Sequence, residues 1–144
     1  MSLEVKRAEL DRATVTGRED LEIITQLVEF PPGSVSPRHV HHGEETFFVL
    51  EGGTVQEAGR PPRERVPGEH GVIPRGVHHS GYTVIGHRTI KVLSVYVVDR
   101  GKPCRSPWHD HRASWVSTAP AEDGAACALF PARPDCDGGR RRSG

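Results

Sequence analysis

The sequence predicts an all-β domain, a small sandwich or barrel, on three observations. Short runs rich in β-branched and aromatic residues recur as far as Asp99. Glycine and proline breaks separate those runs at intervals of roughly ten residues. No stretch repeats its apolar residues at the three-and-four spacing of an amphipathic helix.

In order along the chain, Ser2 to Leu10 alternates in character and is read as part of an N-terminal arm, residues 1–19, that adds a strand to a neighbouring barrel and covers an exposed edge. Leu21 to Phe30 is a strand, rich in Ile, Leu, Val and Phe, stopped by Pro31-Pro32-Gly33. His39 to Leu50 is a second extended region that ends at Gly52-Gly53. Gln56 to Gly71 is polar and interrupted by Pro-Pro and Pro-Gly, which suits a loop with short strands. Gly71 to Pro74 and Gly81 to Ile85 are short strand candidates, and Thr89 to Val98 carries the strongest strand signal of all. The barrel is therefore placed at residues 20–100. Residues 101–144, rich in Pro, Gly, Ala and Arg, are expected to form a flexible tail in which a short piece around Trp108 or Trp115 docks on the barrel.

A chain of 144 residues suits one domain with a real core. The 19 basic residues balance the 19 acidic ones, so no electrostatic argument favours nucleic acid or an acidic membrane surface. No apolar run is long enough to span a bilayer and the N-terminus lacks an apolar signal core, so a cytoplasmic protein is the default expectation. The three cysteines, Cys104, Cys127 and Cys136, form no C-x-x-C pair, which argues against a cysteine-based zinc site.

The chemistry concentrates in two turns. In a strand, residues i and i+2 point to the same side, so His39 and His41 aim both imidazoles inward while Val40 faces out. Glu45, at a strand start, brings an oxygen toward the same point. The adjacent Glu44 and His42 alternate outward. A fourth ligand must come from elsewhere in the chain. His79 follows the turn Pro74-Arg75-Gly76, although a one-residue slip would exchange it for His78. Three imidazoles and a carboxylate suit a divalent transition ion and leave positions open, the mark of a catalytic rather than a structural site. The second H-x-H, His109 and His111, has no acid four residues on and is read as a solvated segment of the tail. His70 and His87 are read as surface histidines near the barrel rim, each with an alternative role as proton shuttle or replacement ligand. Phe47 and Val49 share the parity of Glu45 and are expected to line a pocket above the metal. Thr83 shares the parity of His79 and is expected to reach a ligand there.

The spacing from Gly33 through His39, His41 and Glu45 to Gly52 resembles the first motif of the cupins. Gly68, Pro74, Gly76 and His79 match the second. The resemblance spans roughly residues 20 to 100. It implies a small double-stranded β-helix, or jelly-roll, barrel in which His39, His41, Glu45 and His79 bind one divalent ion (zinc first, then iron, nickel or manganese). The second motif usually ends in Asn where this chain has Thr83, which alters the pocket but removes no ligand. Single-domain cupins are commonly homodimers, and some are cyclases of aromatic polyketide pathways.

Fold alone does not name a reaction. Three function classes follow. The first is a Lewis-acid enzyme, of cyclase, isomerase or lyase type, acting on a carbonyl or enol of a small molecule. An Fe(II) dioxygenase is the second, and a non-catalytic barrel that binds a small effector is the third. The complete set of four ligands argues against the last, and the Lewis-acid enzyme is favoured over the dioxygenase.

Overall fold

The computed structural model describes residues 3–107. Expectations about Trp108, Trp115, His109, His111 and the rest of the tail lie outside those residues. The described chain contains eleven strands: β1 (Lys6–Val15), β2 (Arg18–Phe30), β3 (Val35–Ser36), β4 (His39–Val40), β5 (Gly43–Glu51), β6 (Gly53–Glu57), β7 (Arg63–Arg65), β8 (His70–Ile73), β9 (Tyr82–Ile85), β10 (Ile90–Asp99) and β11 (Ser106–Pro107). It is all-β, and no helix of the described residues is long and apolar enough to cross a membrane.

All pairings are antiparallel. One sheet has the order β1-β2-β10-β5-β8, a second β3-β9-β6-β7, and β11 pairs with β4. The large sheet is built around β10, whose burial alternates without a break from Ile90 to Asp99. Its inward side chains are Ile90, Val92, Ser94, Tyr96 and Val98, as a period of two requires. Apolar residues of the two sheets close over one another at one end: Val28, Phe30, Val49, Ile90 and Val92 from the large sheet meet Val55 and Val84 from the small one. A smaller cluster of Ile24, Tyr96 and Val98 fills the other end, with Cys104 against it.

One contact keeps β5 on β10. Gly43 is buried, and a Cβ there would lie 1.9 Å from the carbonyl oxygen of Val97, so no other residue fits this approach.

Three expectations change. The N-terminal segment folds back on its own chain: Lys6 pairs with Glu29 and Thr14 with Glu22. The cause is Gly17, whose φ of 79° closes a two-residue turn between the paired Val15 and Arg18. The barrel also does not stop at residue 100, because Ser106 and Pro107 of β11 pair with Val40 and His39. Finally, the extended region expected from His39 to Leu50 is two strands, β4 and β5, separated at His41 and His42.

Candidate metal centre

The two histidine turns meet through their backbones. His39 and His79 exchange both N–H···O bonds at 3.2 Å, and the N–H of Gly76 donates to the carbonyl of His41 at 3.1 Å. Gly76 adopts a φ of 72° inside the turn that Val77 closes on Pro74. After His79 the chain enters the left-handed region twice, at Ser80 (φ 66°) and Gly81 (φ 87°). Ser80 is the one non-glycine residue with positive φ among those described, and it abuts a site residue, where local strain is commonly held. This bridge pairs His39 with His79, not His78, which is exposed.

Each imidazole is held from behind. His39 Nδ1 donates to the carbonyl of Pro37 at 2.7 Å, His41 Nδ1 to that of Cys104 at 2.5 Å, and His79 Nδ1 to that of Val77 at 3.0 Å. A carbonyl oxygen only accepts, so each Nδ1 carries a proton, and Nε2 is the atom left to present a lone pair whenever the ring is neutral. These lone pairs converge: His41 Nε2 and His79 Nε2 are 3.1 Å apart, and one ligand atom from each of the three rings lies within 4.8 Å of the others. The ring centroids are 4.2 to 4.9 Å apart. Glu45 Oε2 lies 2.9 Å from His41 Nε2 and 3.3 Å from His79 Nε2, while Ser94 Oγ donates to Glu45 Oε1 at 2.8 Å.

This geometry fits a metal ion. Two unprotonated nitrogens at hydrogen-bond distance repel unless a cation or a proton lies between them, and three carbonyls orient the rings as metal-bound histidines are usually oriented. Nitrogen and carboxylate donors of this kind suit first-row divalent ions.

The electrostatics agree. Burial lowers the pKa of His39 from 6.5 to about 4, with the charges at His79, His41 and Arg105 pushing the same way. It is thus a neutral donor at physiological pH. Burial pushes the Glu45 carboxyl up, but bonds to His41, His79 and Ser94 outweigh it and hold the group well below the usual carboxylate range. The Tyr96 ring lies tilted against His41 at 4.9 Å between centroids, and burial, then the Glu45 charge, raises its hydroxyl pKa above the ordinary value. The Cys104 thiol is pushed up to about 11 by burial and by Glu45.

His39, His41 and Glu45 are buried, whereas the His79 side chain keeps 16% of its surface exposed, so the cluster meets solvent on the His79 side. Glu44 is exposed, and His42 bonds through Nε2 to Ser106 Oγ at 2.8 Å. Neither joins the cluster. His70 is exposed and stacks on Phe48, on the opposite face of the sheet, and His87 is exposed in the β9–β10 turn.

Two expected pocket residues are placed otherwise. Val49 faces inward, but it has no exposed surface and belongs to the apolar core, so it has nothing to offer a substrate. Thr83 points away from the interior. Tyr82 and Val84 of β9 take the inward positions, because the left-handed pair Ser80-Gly81 breaks the parity that would have carried inward from His79. Phe47 faces inward, half-buried against the core under the Arg65 guanidinium at 5.2 Å.

Sequence reasoning missed Ser94 and Tyr96. Their signal was present: on the inward face of β10, among Ile and Val residues, Ser94 is a lone small polar side chain. The carbonyl of Cys104 left no local signal.

The sequence profile of the ChrR cupin-like domain matches residues 5–94, well over half of the chain. A comparison with curated protein sequences finds no match. Among solved structures, the polyketide cyclase RemF from Streptomyces resistomycificus is similar at 28% identity and TM-score 0.53, covering 75% of this chain and 74% of that one. An uncharacterized conserved protein with a double-stranded β-helix domain from Klebsiella pneumoniae is similar at 17% identity and TM-score 0.52, covering 69% and 81%. The DMSP lyase DddQ from Ruegeria pomeroyi is 28% identical with a TM-score of 0.47, over 59% of this chain and 42% of that one, so the chain spans less than half of that enzyme's length. The double-stranded β-helix, the paired histidine turns and the family profile agree, and the chain belongs to the ChrR cupin-like domain family.

Proposed function

We propose that the protein is a metal-dependent enzyme acting on a carbonyl or enol group of a small molecule, of cyclase or isomerase type, with aromatic polyketide cyclisation as the leading case. One observation carries the proposal: three carbonyl-locked imidazoles turn their free Nε2 atoms to a common point beside a buried carboxylate. The similarity to RemF over three quarters of both chains favours cyclisation among the reactions open to such a site.

His39, His41, Glu45 and His79 would hold one divalent ion, zinc first, then iron, nickel or manganese. Such an ion acts as a Lewis acid toward a carbonyl or enolate oxygen. The chain's residues do the rest. Ser94 occupies Glu45 Oε1 and leaves Oε2 to face the histidines. The carbonyls of Pro37, Val77 and Cys104 keep the rings aimed. The partly exposed His79 marks the side from which substrate approaches.

We propose a homodimer as well. The outer face of the large sheet carries apolar side chains in cross-strand rows: Leu27, Leu93 and Phe48 in one, Val95 and Val72 in the next. Phe48 is 45% and Val72 66% exposed, with Thr46 between Val95 and Val72, and exposed apolar side chains grouped in this way mark an interface.

Metal analysis of protein purified without added metal tests the enzyme proposal. Near-stoichiometric zinc in the wild type and background levels in His41→Ala are expected. Unchanged metal in His41→Ala would remove the site. Bound iron with oxygen uptake on a catechol or polyketide substrate would replace the Lewis-acid reading with a dioxygenase.

A further inference from the structure

An open groove of about 430 Å³ lies against the segments that carry Pro37 and Arg105. Two of its walls belong to segments that orient the ligands. Pro37 lines it and accepts from His39 Nδ1. Arg105 lines it and directly follows Cys104, whose carbonyl accepts from His41 Nδ1. The groove thus adjoins the two segments that orient His39 and His41, on the Nδ1 side of their rings, and none of the four proposed ligands lines it.

Its lining is divided by character. Leu3, Val5 and Val35 supply apolar surface, with Val5 packed against the core and Leu3 lying over the Gly33 turn. Arg7 and Arg105 supply positive charge, and Glu4 is the one acid among the lining residues. Neither Arg7 nor Arg105 forms an ion pair among the described residues, although eleven other Arg, Lys or His side chains do. Burial, then the charge of Arg105, holds the Arg7 guanidinium below its ordinary pKa. Two cations that weaken each other in one partly apolar groove are a standing cost, and a bound anion relieves it.

We propose that this groove binds an organic carboxylate, its charged end between Arg7 and Arg105 and its apolar body against Leu3, Val5 and Val35. The apolar wall favours an organic acid over inorganic phosphate. The site stands apart from the metal-enzyme reading: the carboxylate lies against the segments that aim His39 and His41, not at their Nε2 atoms, and Arg7 and Arg105 determine its selectivity for an acid.

The test is calorimetric titration of the full-length, zinc-loaded protein with 2-naphthoate, its neutral isostere 2-naphthamide, and inorganic phosphate. Naphthoate is expected to bind at least tenfold more tightly than the amide and than phosphate. Arg7→Gln and Arg105→Gln should each weaken naphthoate at least tenfold while zinc content and far-ultraviolet circular dichroism stay as in the wild type. Equal binding of naphthoate and amide, or unchanged affinity in both variants, would overturn the proposal, and phosphate binding as tightly as naphthoate would overturn the organic acid. His41→Ala separates the two readings. Arginine-dependent naphthoate binding that survives in this variant supports the groove whatever the metal does, whereas binding that vanishes with the zinc and ignores the arginines assigns the anion to the metal and sinks the groove site.

Discussion

Acidifying the metal-free protein should cost it stability through one side chain, His39. Its imidazole is 8% exposed, and burial brings its pKa from 6.5 to about 4. The folded state thus refuses a proton that the unfolded chain accepts. The resulting stability is fully present above pH 6.5 and is lost as the pH falls from there through about 4. The whole difference corresponds to roughly 3 kcal/mol, of which about 2 kcal/mol should be gone by pH 5. Glu45 does not confuse this window. Its depressed pKa contributes stability that is lost only below the ordinary carboxylate range. The assay is urea denaturation of chelator-treated protein, followed by circular dichroism from pH 7 to pH 5, in the wild type and in His39→Gln. The wild type should lose stability across the range, and the variant should lose about 2 kcal/mol less. Parallel curves would refute the reasoning, since His39 would then be titrating alike in both states. The same depression has a functional side: above about pH 5, His39 has no proton for a metal ion to displace.

Further outcomes test the site, the fold and the assembly. Ser94→Ala removes the bond to Glu45 Oε1 and should weaken zinc binding about 10- to 100-fold in a competitive chelator titration, and the buried oxygen left without its donor should cost the metal-free protein roughly 1–3 kcal/mol. Gly43→Ala places a Cβ 1.9 Å from the Val97 carbonyl oxygen and should cost on the order of 4 kcal/mol or leave the protein insoluble. A wild-type melting temperature in that variant would mean that β5 and β10 do not touch there. Phe48→Lys puts a charge in the middle of the outer apolar face and should turn a dimer into a monomer in sedimentation, with metal content intact. A wild type that sediments as a monomer would remove the dimer.

Much of this was legible because it is local. The alternation of β10, the apolar run of β2 and the i, i+2 pair of His39 and His41 all rest on backbone periodicity, which a sequence displays directly. Thr83 shows where that reasoning ends. Parity can be counted only along an unbroken strand, and the left-handed Ser80 and Gly81 reset it. The hairpin of β1 shows the converse: Thr16-Gly17 was a sufficient turn signal, passed over because the strand before it is exposed on both faces and lacks apolar alternation.

The histidine locks divide the two sources of information most clearly. His39 and His79 each donate to a carbonyl two residues back, Pro37 and Val77, so their tautomers are set by the chain's own local course. His41 donates to Cys104, 63 residues away, in a segment whose composition resembles a loose tail. By itself, then, the sequence determined the barrel class, the cupin membership and the spacing of the four proposed ligands, since each depends on local order. Only the tertiary structure decided which carbonyl holds His41, that Val49 is core, and that Arg7 and Arg105 share a groove. Those are contacts between distant segments, and no periodicity records which strand the chain will return to.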